Sequence, residues 1–202
     1  KYNNPVYTNI GIQTKRGCPL KCAYCSYPFL NGKRVRVRSS VQVVDEIEYL
    51  ISLGIRRFMF ADSVFNIPER HAEDICKEII RRKLNISWNA WFDVKGFSGE
   101  LLELAIKAGC VSFSFSPDAA SDSSLKALGK SIKEEDITRT IGLLKKAKGV
   151  RVEFNFFCTP PGQDFSGFVK TLLLYLKVNL YFMGRCAVFM GWIRIEPETR
   201  IH

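Results

Sequence analysis

The sequence predicts an α/β chain built as a partial, open (β/α)6 barrel, TIM-like in kind, with parallel strands. Three observations predict it. Strand-like and helix-like stretches alternate about six times along 202 residues, the pattern of right-handed βαβ units over a parallel sheet. That length is short for a full eight-unit barrel. No Gly-x-Gly-x-x-Gly follows the first strand, which counts against a doubly wound dinucleotide-binding sheet.

The elements follow in order. Residues 1–5 read as a linker, and residues 6–13 (VYTNIGIQ) are rich in β-formers and predict the first strand. Residues 14–17 turn into a cysteine loop, and Ser39-Ser40 offers an N-cap for a helix over 41–53 with Val44, Ile47, Leu50 and Ile51 on one face. Gly54 ends it. A second strand spans 57–61. Pro68 stands at the first turn of a helix reaching about residue 83. A third strand covers 86–93, Ser98 caps a helix through Lys107, and a fourth strand covers 111–116. Residues 123–128 predict a short helix, 131–148 a longer one, 150–158 a fifth strand and about 165–177 a last helix. The final strand falls somewhere within 180–196.

Side chains alternate between faces along a strand. Ser112, Ser114 and Ser116 therefore oppose Val111, Phe113 and Phe115, and Glu153 and Asn155 oppose Val152, Phe154 and Phe156. Ser87, Asn89, Trp91 and Asp93 oppose Trp88, Ala90 and Phe92; Arg194 and Glu196 oppose Ile193 and Ile195. The apolar face must meet the helices. The small and polar face suits a wet cavity or a polar ligand, because unpartnered burial would cost about 1–3 kcal/mol per group.

Composition narrows the class. Hydrophobic residues make up 47% of the chain, as in a globular protein with a real core. Apolar stretches such as 171–178 are too short or too interrupted to span a bilayer. The first residues lack the apolar run of a secretory signal. Lys1 and the stop at His202 suggest an excised part of a longer chain. Seven cysteines fit a fully paired disulfide framework poorly and predict a reduced, cytoplasmic setting. Cys76, Cys110, Cys158 and Cys186 are scattered and read as small core residues. The net charge of +10 attracts anions. Its densest run, 33–38, reads as a solvated flank rather than a nucleic-acid surface, since no aromatic platform interleaves with it.

The chemistry lies in Gly17-Cys18-Pro19-Leu20-Lys21-Cys22-Ala23-Tyr24-Cys25. Thiolates at this spacing suit a soft metal centre. Zinc usually takes four Cys or His ligands, and no fourth is near: His71 is distant and His202 is the last residue. A cubane iron–sulfur cluster takes cysteine thiolates, and three of them leave one iron open.

The pattern C-x3-C-x-aromatic-C after a first strand, with Tyr24 as the aromatic, resembles the signature of the radical S-adenosylmethionine (SAM) enzymes. The resemblance implies that residues 1–202 form a radical SAM core domain. It implies a [4Fe-4S] cluster on Cys18, Cys22 and Cys25, whose open iron chelates the amino and carboxylate groups of SAM. It implies an electron donor such as flavodoxin or ferredoxin, and reductive release of a 5′-deoxyadenosyl radical. By position, Ala61, Asp62 and Ser63 match the segment that hydrogen-bonds the SAM amino group, where the family usually shows a Gly-Gly-Glu-like run. Ser114 and Ser116 fall where the fourth strand approaches ribose or carboxylate. Glu153 and Asn155 fall on the strand whose end meets the nucleoside. Tyr24 holds the position whose backbone meets adenine. Arg194 is a bidentate carboxylate partner.

Two branches are similar. The runs TKRGCP from Thr14, CSYP from Cys25, ADSVFN from Ala61 and RIEPETR from Arg194 resemble cobalamin-dependent radical SAM proteins, many of them methyltransferases. Their cobalamin domain precedes the barrel, so cobalamin would come through a domain absent from this sequence. The methylthiotransferases of transfer RNA or ribosomal protein share the loop, a following Pro and basic run, and a Glu-Ile, here Glu46-Ile47. The run from Asp62 to Asn66 favours the cobalamin branch. A non-catalytic iron–sulfur module is the alternative from another class. The substrate is not legible.

Overall fold

The computed structural model describes residues 10–201. Strand β1 (Ile10–Ile12) leads to strand β2 (Lys15–Arg16), and the cysteine loop leads to helix α1 (Tyr27–Asn31) and strand β3 (Arg36–Val37). Then follow α2 (Ser40–Ser52), β4 (Arg57–Phe60), α3 (Glu69–Arg81), β5 (Ser87–Phe92), α4 (Gly99–Lys107) and β6 (Cys110–Asp118). The chain continues through α5 (Asp122–Ala127), α6 (Glu134–Lys146), β7 (Arg151–Phe157), α7 (Phe165–Tyr181) and β8 (Cys186–Gly191).

The sheet has six strands in the order β1-β4-β5-β6-β7-β8, every neighbouring pair parallel. Spatial order follows chain order without reversal. Right-handed crossovers then put all the helices on one face of a curving sheet. Among the described residues β1 and β8 do not pair, so the barrel is open. The predicted α/β class and partial parallel barrel are what is found.

The helix-side face is aromatic. Phe58, Phe60, Trp88, Phe92, Phe113, Phe115, Phe154 and Phe156 are buried. Their rings interlock: Phe92 and Phe113 lie 5.0 Å apart and Phe115 and Phe154 5.3 Å, centroid to centroid. Trp88 satisfies its indole N–H on the Ala108 carbonyl at 2.8 Å, as a buried Trp must. The opposite face carries Asn89, Ser112, Ser114, Glu153 and Asn155, with Ser114 buried and the others half-buried. Ser98 caps α4 as expected, its Oγ accepting from the Leu101 amide at 3.1 Å.

The structure departs from expectation at several ends. Residues 6–9 of the predicted first strand, the linker 1–5 and His202 lie outside the described residues. Pro68 occupies the N-cap of α3 rather than its first turn. Helix α6 starts at Glu134, three residues later than predicted, because the acidic Glu134, Glu135 and Asp136 fill its first turn. Helix α7 runs on to Tyr181, its last turns anchored by buried Val178. The final strand closes at Gly191, so Arg194 and Glu196 are not strand residues. The antiparallel pair β2–β3 was not expected; two-residue bridges carry no periodic signal. No helix among the described residues is long and apolar enough to cross a membrane.

Candidate functional site

The site is built from a loop tied down on three sides. At its start, Asp62 accepts the amides of Thr14 and Lys15 at 2.9 and 3.2 Å. The Thr14 hydroxyl and the Lys15 ammonium close on the same carboxylate at 2.6 and 3.0 Å. Lys15 Nζ also donates to the Phe65 carbonyl at 2.8 Å, and His71 Nε2 lies 3.2 Å from the Thr14 hydroxyl. Burial pushes His71 below its ordinary value, with Lys15 adding to the shift. Next, Gly17 adopts φ +89°, and a Cβ there would sit 2.1 Å from the Arg34 carbonyl oxygen. Only glycine lets the loop pass that close to the segment entering β3. The Cys18 amide then donates to the Gly32 carbonyl at 3.1 Å. On the far side, the Ala23 amide donates to the Leu128 carbonyl at 2.8 Å. Gly129 (φ +68°) admits the Lys21 carbonyl, which would stand 2.3 Å from a Cβ.

The result is a cavity of about 130 Å³ lined by Cys18, Cys22 and Cys25 of the loop, with Ser63, Trp91 and Ser116 among the residues facing them. Ser63 follows β4, Trp91 is next to last in β5 and Ser116 lies near the end of β6, so the cavity sits at the C-terminal ends of parallel strands, where such barrels carry their sites. All three cysteines are free thiols. Burial pushes Cys22 and Cys25 above the ordinary thiol value, and Lys130 opposes the shift in both. Among the described residues no three Cys, His, Asp or Glu side chains converge as the ligands of a single ion. A lone zinc needs its sulfurs all about 2.3 Å from one point, whereas a cluster takes each thiolate on a different iron. Three free thiols arrayed around one cavity fit the second donor geometry.

A second cavity of about 400 Å³ shares Tyr24 and Ser116 with the first and adds Asp118, Glu153, Asn155 and Phe157. Between the two stands a buried chain of contacts. The Tyr24 hydroxyl donates to Asp118, and the Lys130 ammonium pairs with the same carboxylate. Lys130 also donates to the Ser116 carbonyl at 2.7 Å and lies 5.6 Å from the centroid of the Tyr24 ring. Asp118 has left-handed backbone, φ 71°, a conformation that few non-glycine residues adopt. Burial pushes the Asp118 carboxyl up, against the pull of Lys130. Burial works to lower the Lys130 ammonium, but Asp118 and Cys22 outweigh it and hold the ammonium above its ordinary value. Burial also raises Glu153 and Asp93. Asn155 Oδ1 is buried without a hydrogen-bond partner, a position that a donor on a ligand would satisfy.

The structure brings Cys18, Cys22, Cys25, Tyr24, Ser63, Ser116, Glu153 and Asn155 to the two cavities. Ala61, Asp62, Ser114 and Arg194 line neither. Ala61 donates its amide to the Ile12 carbonyl at 2.9 Å. The carboxylate of Asp62 is spent on Thr14 and Lys15. Ser114 is buried and donates to Glu153 at 3.4 Å. Arg194 is 86% exposed and pairs with Glu196 at 2.6 Å. Asp118 and Lys130 were missed by sequence reasoning. The one available signal was an Asp directly after Ser116-Pro117 at a strand end.

Comparison with known proteins agrees with the geometry. The family described as the Radical SAM superfamily matches residues 12–174. An uncharacterized methyltransferase of Pyrococcus horikoshii is 33% identical over 138 residues, 68% of this chain and 29% of its own. An anaerobic magnesium-protoporphyrin IX monomethyl ester cyclase of Rubrivivax gelatinosus is 33% identical over 144 residues, 70% of this chain and 26% of its own. The chain therefore spans under a third of these curated relatives. In fold it resembles the radical SAM methyltransferase TsrM of Kitasatospora setae, a structure with cobalamin and a [4Fe-4S] cluster bound. The TM-score is 0.84 at 23% identity, over 96% of this chain and 38% of that one.

Proposed function

Because the chain belongs to the radical SAM superfamily, we propose that Cys18, Cys22 and Cys25 hold a [4Fe-4S] cluster, that SAM lies from the first cavity into the second, and that the protein uses them for methyl transfer. One observation carries this reading: three thiols of a single loop line a cavity whose walls Tyr24 and Ser116 also bound an adjacent cavity holding Asp118, Glu153 and Asn155. When bound, such a cluster supplies one electron to the sulfonium of SAM, breaking a carbon–sulfur bond to leave a carbon radical.

The chain's own residues prepare that space. Lys130, fixed by Asp118 and the Ser116 carbonyl, places a positive charge beside Cys22 and offsets the charge that three thiolates bring together. Trp91 and Phe92 in the first cavity, and Phe157 in the second, keep water from it. Glu153 and Asn155 offer acceptors to the hydroxyl or amino donors of a nucleoside. Ser63 and Ser116 offer hydroxyls to its polar groups. Cobalamin, bound in TsrM, would reach this protein through residues outside the present sequence. The cyclase relative supports a second reading, radical modification of a substrate without methylation.

Anaerobic reconstitution with iron and sulfide, followed by reduction in the presence of SAM, tests the reading. The expected products are 5′-deoxyadenosine or S-adenosylhomocysteine. Cys22→Ala is expected to lose both the brown chromophore and the products. Retention of both by that variant would refute the assignment.

A further inference from the structure

Helix α7 carries an apolar face that none of the described residues covers. Its Gly167, Thr171 and Val178 are buried. Phe165, Phe168, Leu172, Leu173, Leu176 and Leu180 are exposed, Phe165 at 81% and Leu180 at 71%. At 3.6 residues per turn these six share one outward face and run the length of the helix, about 25 Å at 1.5 Å per residue. Single exposed apolar side chains are ordinary, but a continuous row of bulky ones marks an interaction surface. The outer side of α3 is of the usual kind: Lys77 pairs there with Glu73, and Arg81 and Arg82 pair with Glu78.

Charge is the second observation. Helix α7 has no acidic residue between Phe165 and Tyr181. Lys170 and Lys177, two turns apart and both exposed, flank the apolar row. Glu134 answers Lys170 at 2.8 Å. At the far end Tyr181 stands between two ammoniums, that of Lys145 from α6 at 4.0 Å from its ring centroid and that of Lys177 at 5.6 Å. Lys146 and Lys148 are exposed beside Lys145 in the chain. Among the described residues Lys145, Lys146, Lys148 and Lys177 make no ion pair. A second copy of this face would bring the same unanswered cations and no acid on α7 to meet them. Acyl chains under anionic headgroups answer both features at once: Phe and Leu enter the apolar boundary while lysines stay at headgroup level. No described helix is long and apolar enough to cross a bilayer, and one side of α7 is committed to the core, so this helix lies on such a surface rather than spanning it.

We propose that α7 seats this protein on an anionic lipid surface, with the row from Phe165 to Leu180 dipping into the acyl boundary and Lys145, Lys177 and Tyr181 at headgroup level. None of these residues lines the cysteine cavity or the one beside it, so the docking stands independently of the cluster reading.

Co-sedimentation of the purified protein with lipid vesicles tests this. The vesicles are phosphatidylcholine alone, or phosphatidylcholine mixed with phosphatidylglycerol, each at low and high salt. Wild-type protein is expected to bind the anionic vesicles, more weakly in high salt and weakest on phosphatidylcholine alone. Lys145→Glu and Lys177→Glu together should weaken binding to the anionic vesicles about twentyfold or more. Leu173→Gln and Leu180→Gln together should weaken binding about tenfold at either salt concentration. Both double variants change exposed side chains, so their melting temperatures and iron content after reconstitution should match the wild type. Absence of binding to anionic vesicles overturns the proposal, as does equal binding by the charge variant. A concentration-dependent dimer in sedimentation analysis that the leucine variant dissolves overturns it too, by assigning the face to a second copy.

Discussion

Asp62 holds Thr14 twice, its Oδ1 accepting the amide at 2.9 Å and its Oδ2 the hydroxyl at 2.6 Å. The two partners stand forty-eight positions apart in the chain. The contact fastens the exit of β4 to the entry of the cysteine loop, and it places Lys15, 3% exposed, against a carboxylate in the interior. Asp62→Ala would strand that ammonium. Breaking such a pair costs about 3–5 kcal/mol, so urea unfolding should show a loss of that size, together with reduced iron content after reconstitution. A loss under about 1 kcal/mol would contradict the anchoring role.

Glu153 sets a pH dependence. Burial raises its carboxyl above the ordinary value, so between its unfolded and folded titrations the native state binds more protons than the unfolded chain. Stability is then highest below the ordinary glutamate range and falls as pH rises through the raised value. Glu153→Gln is expected to remove that segment of the stability–pH curve. Carbon-detected titration of the wild-type carboxyl should place its midpoint above that of an exposed glutamate.

Asn155 separates stability from binding. Its Oδ1 is buried without a partner, a cost of about 1–3 kcal/mol in the free protein. Asn155→Ala removes that cost and loses the support the amide gives to Glu153. The melting temperature should therefore stay level or rise, while SAM binding by calorimetry weakens about tenfold. A variant that melts early and binds SAM normally would show the group to be structural.

Two glycines should behave oppositely. Gly129→Ala forces a left-handed alanine, about 1–2 kcal/mol, and drives a Cβ to 2.3 Å from the Lys21 carbonyl. It should lower the melting temperature and the bound iron together. Gly142, inside α6, has nothing within 4 Å of its would-be Cβ. Gly142→Ala should stabilise by up to about 1 kcal/mol and leave the iron content unchanged.

The framework was legible because it is periodic. Alternating Phe and polar residues in β5, β6 and β7 announced strands with one buried face, and Ser98 announced the start of α4. The cysteine spacing announced the loop. What escaped depends on distant pairing. Asp118 meets Tyr24 across 94 residues, and Lys130 meets both only because α5 folds back under the loop. Asp62 was expected at the ligand, yet its side chain is consumed by Thr14 and Lys15, a use that no local pattern encodes. Arg194 was placed on a strand by alternation alone, but β8 ends at Gly191.

The unreversed strand order has a consequence for how the protein can change. Residues from the β1 end through β6 enclose the thiols, whereas β6, β7 and β8 frame the chamber holding Glu153, Asn155 and Phe189. Substitutions in the last third of the chain can reshape that chamber while the cysteine loop stays as it is. The thiols and the second chamber thus draw on largely successive stretches of one polypeptide, joined where Tyr24 and Ser116 line both.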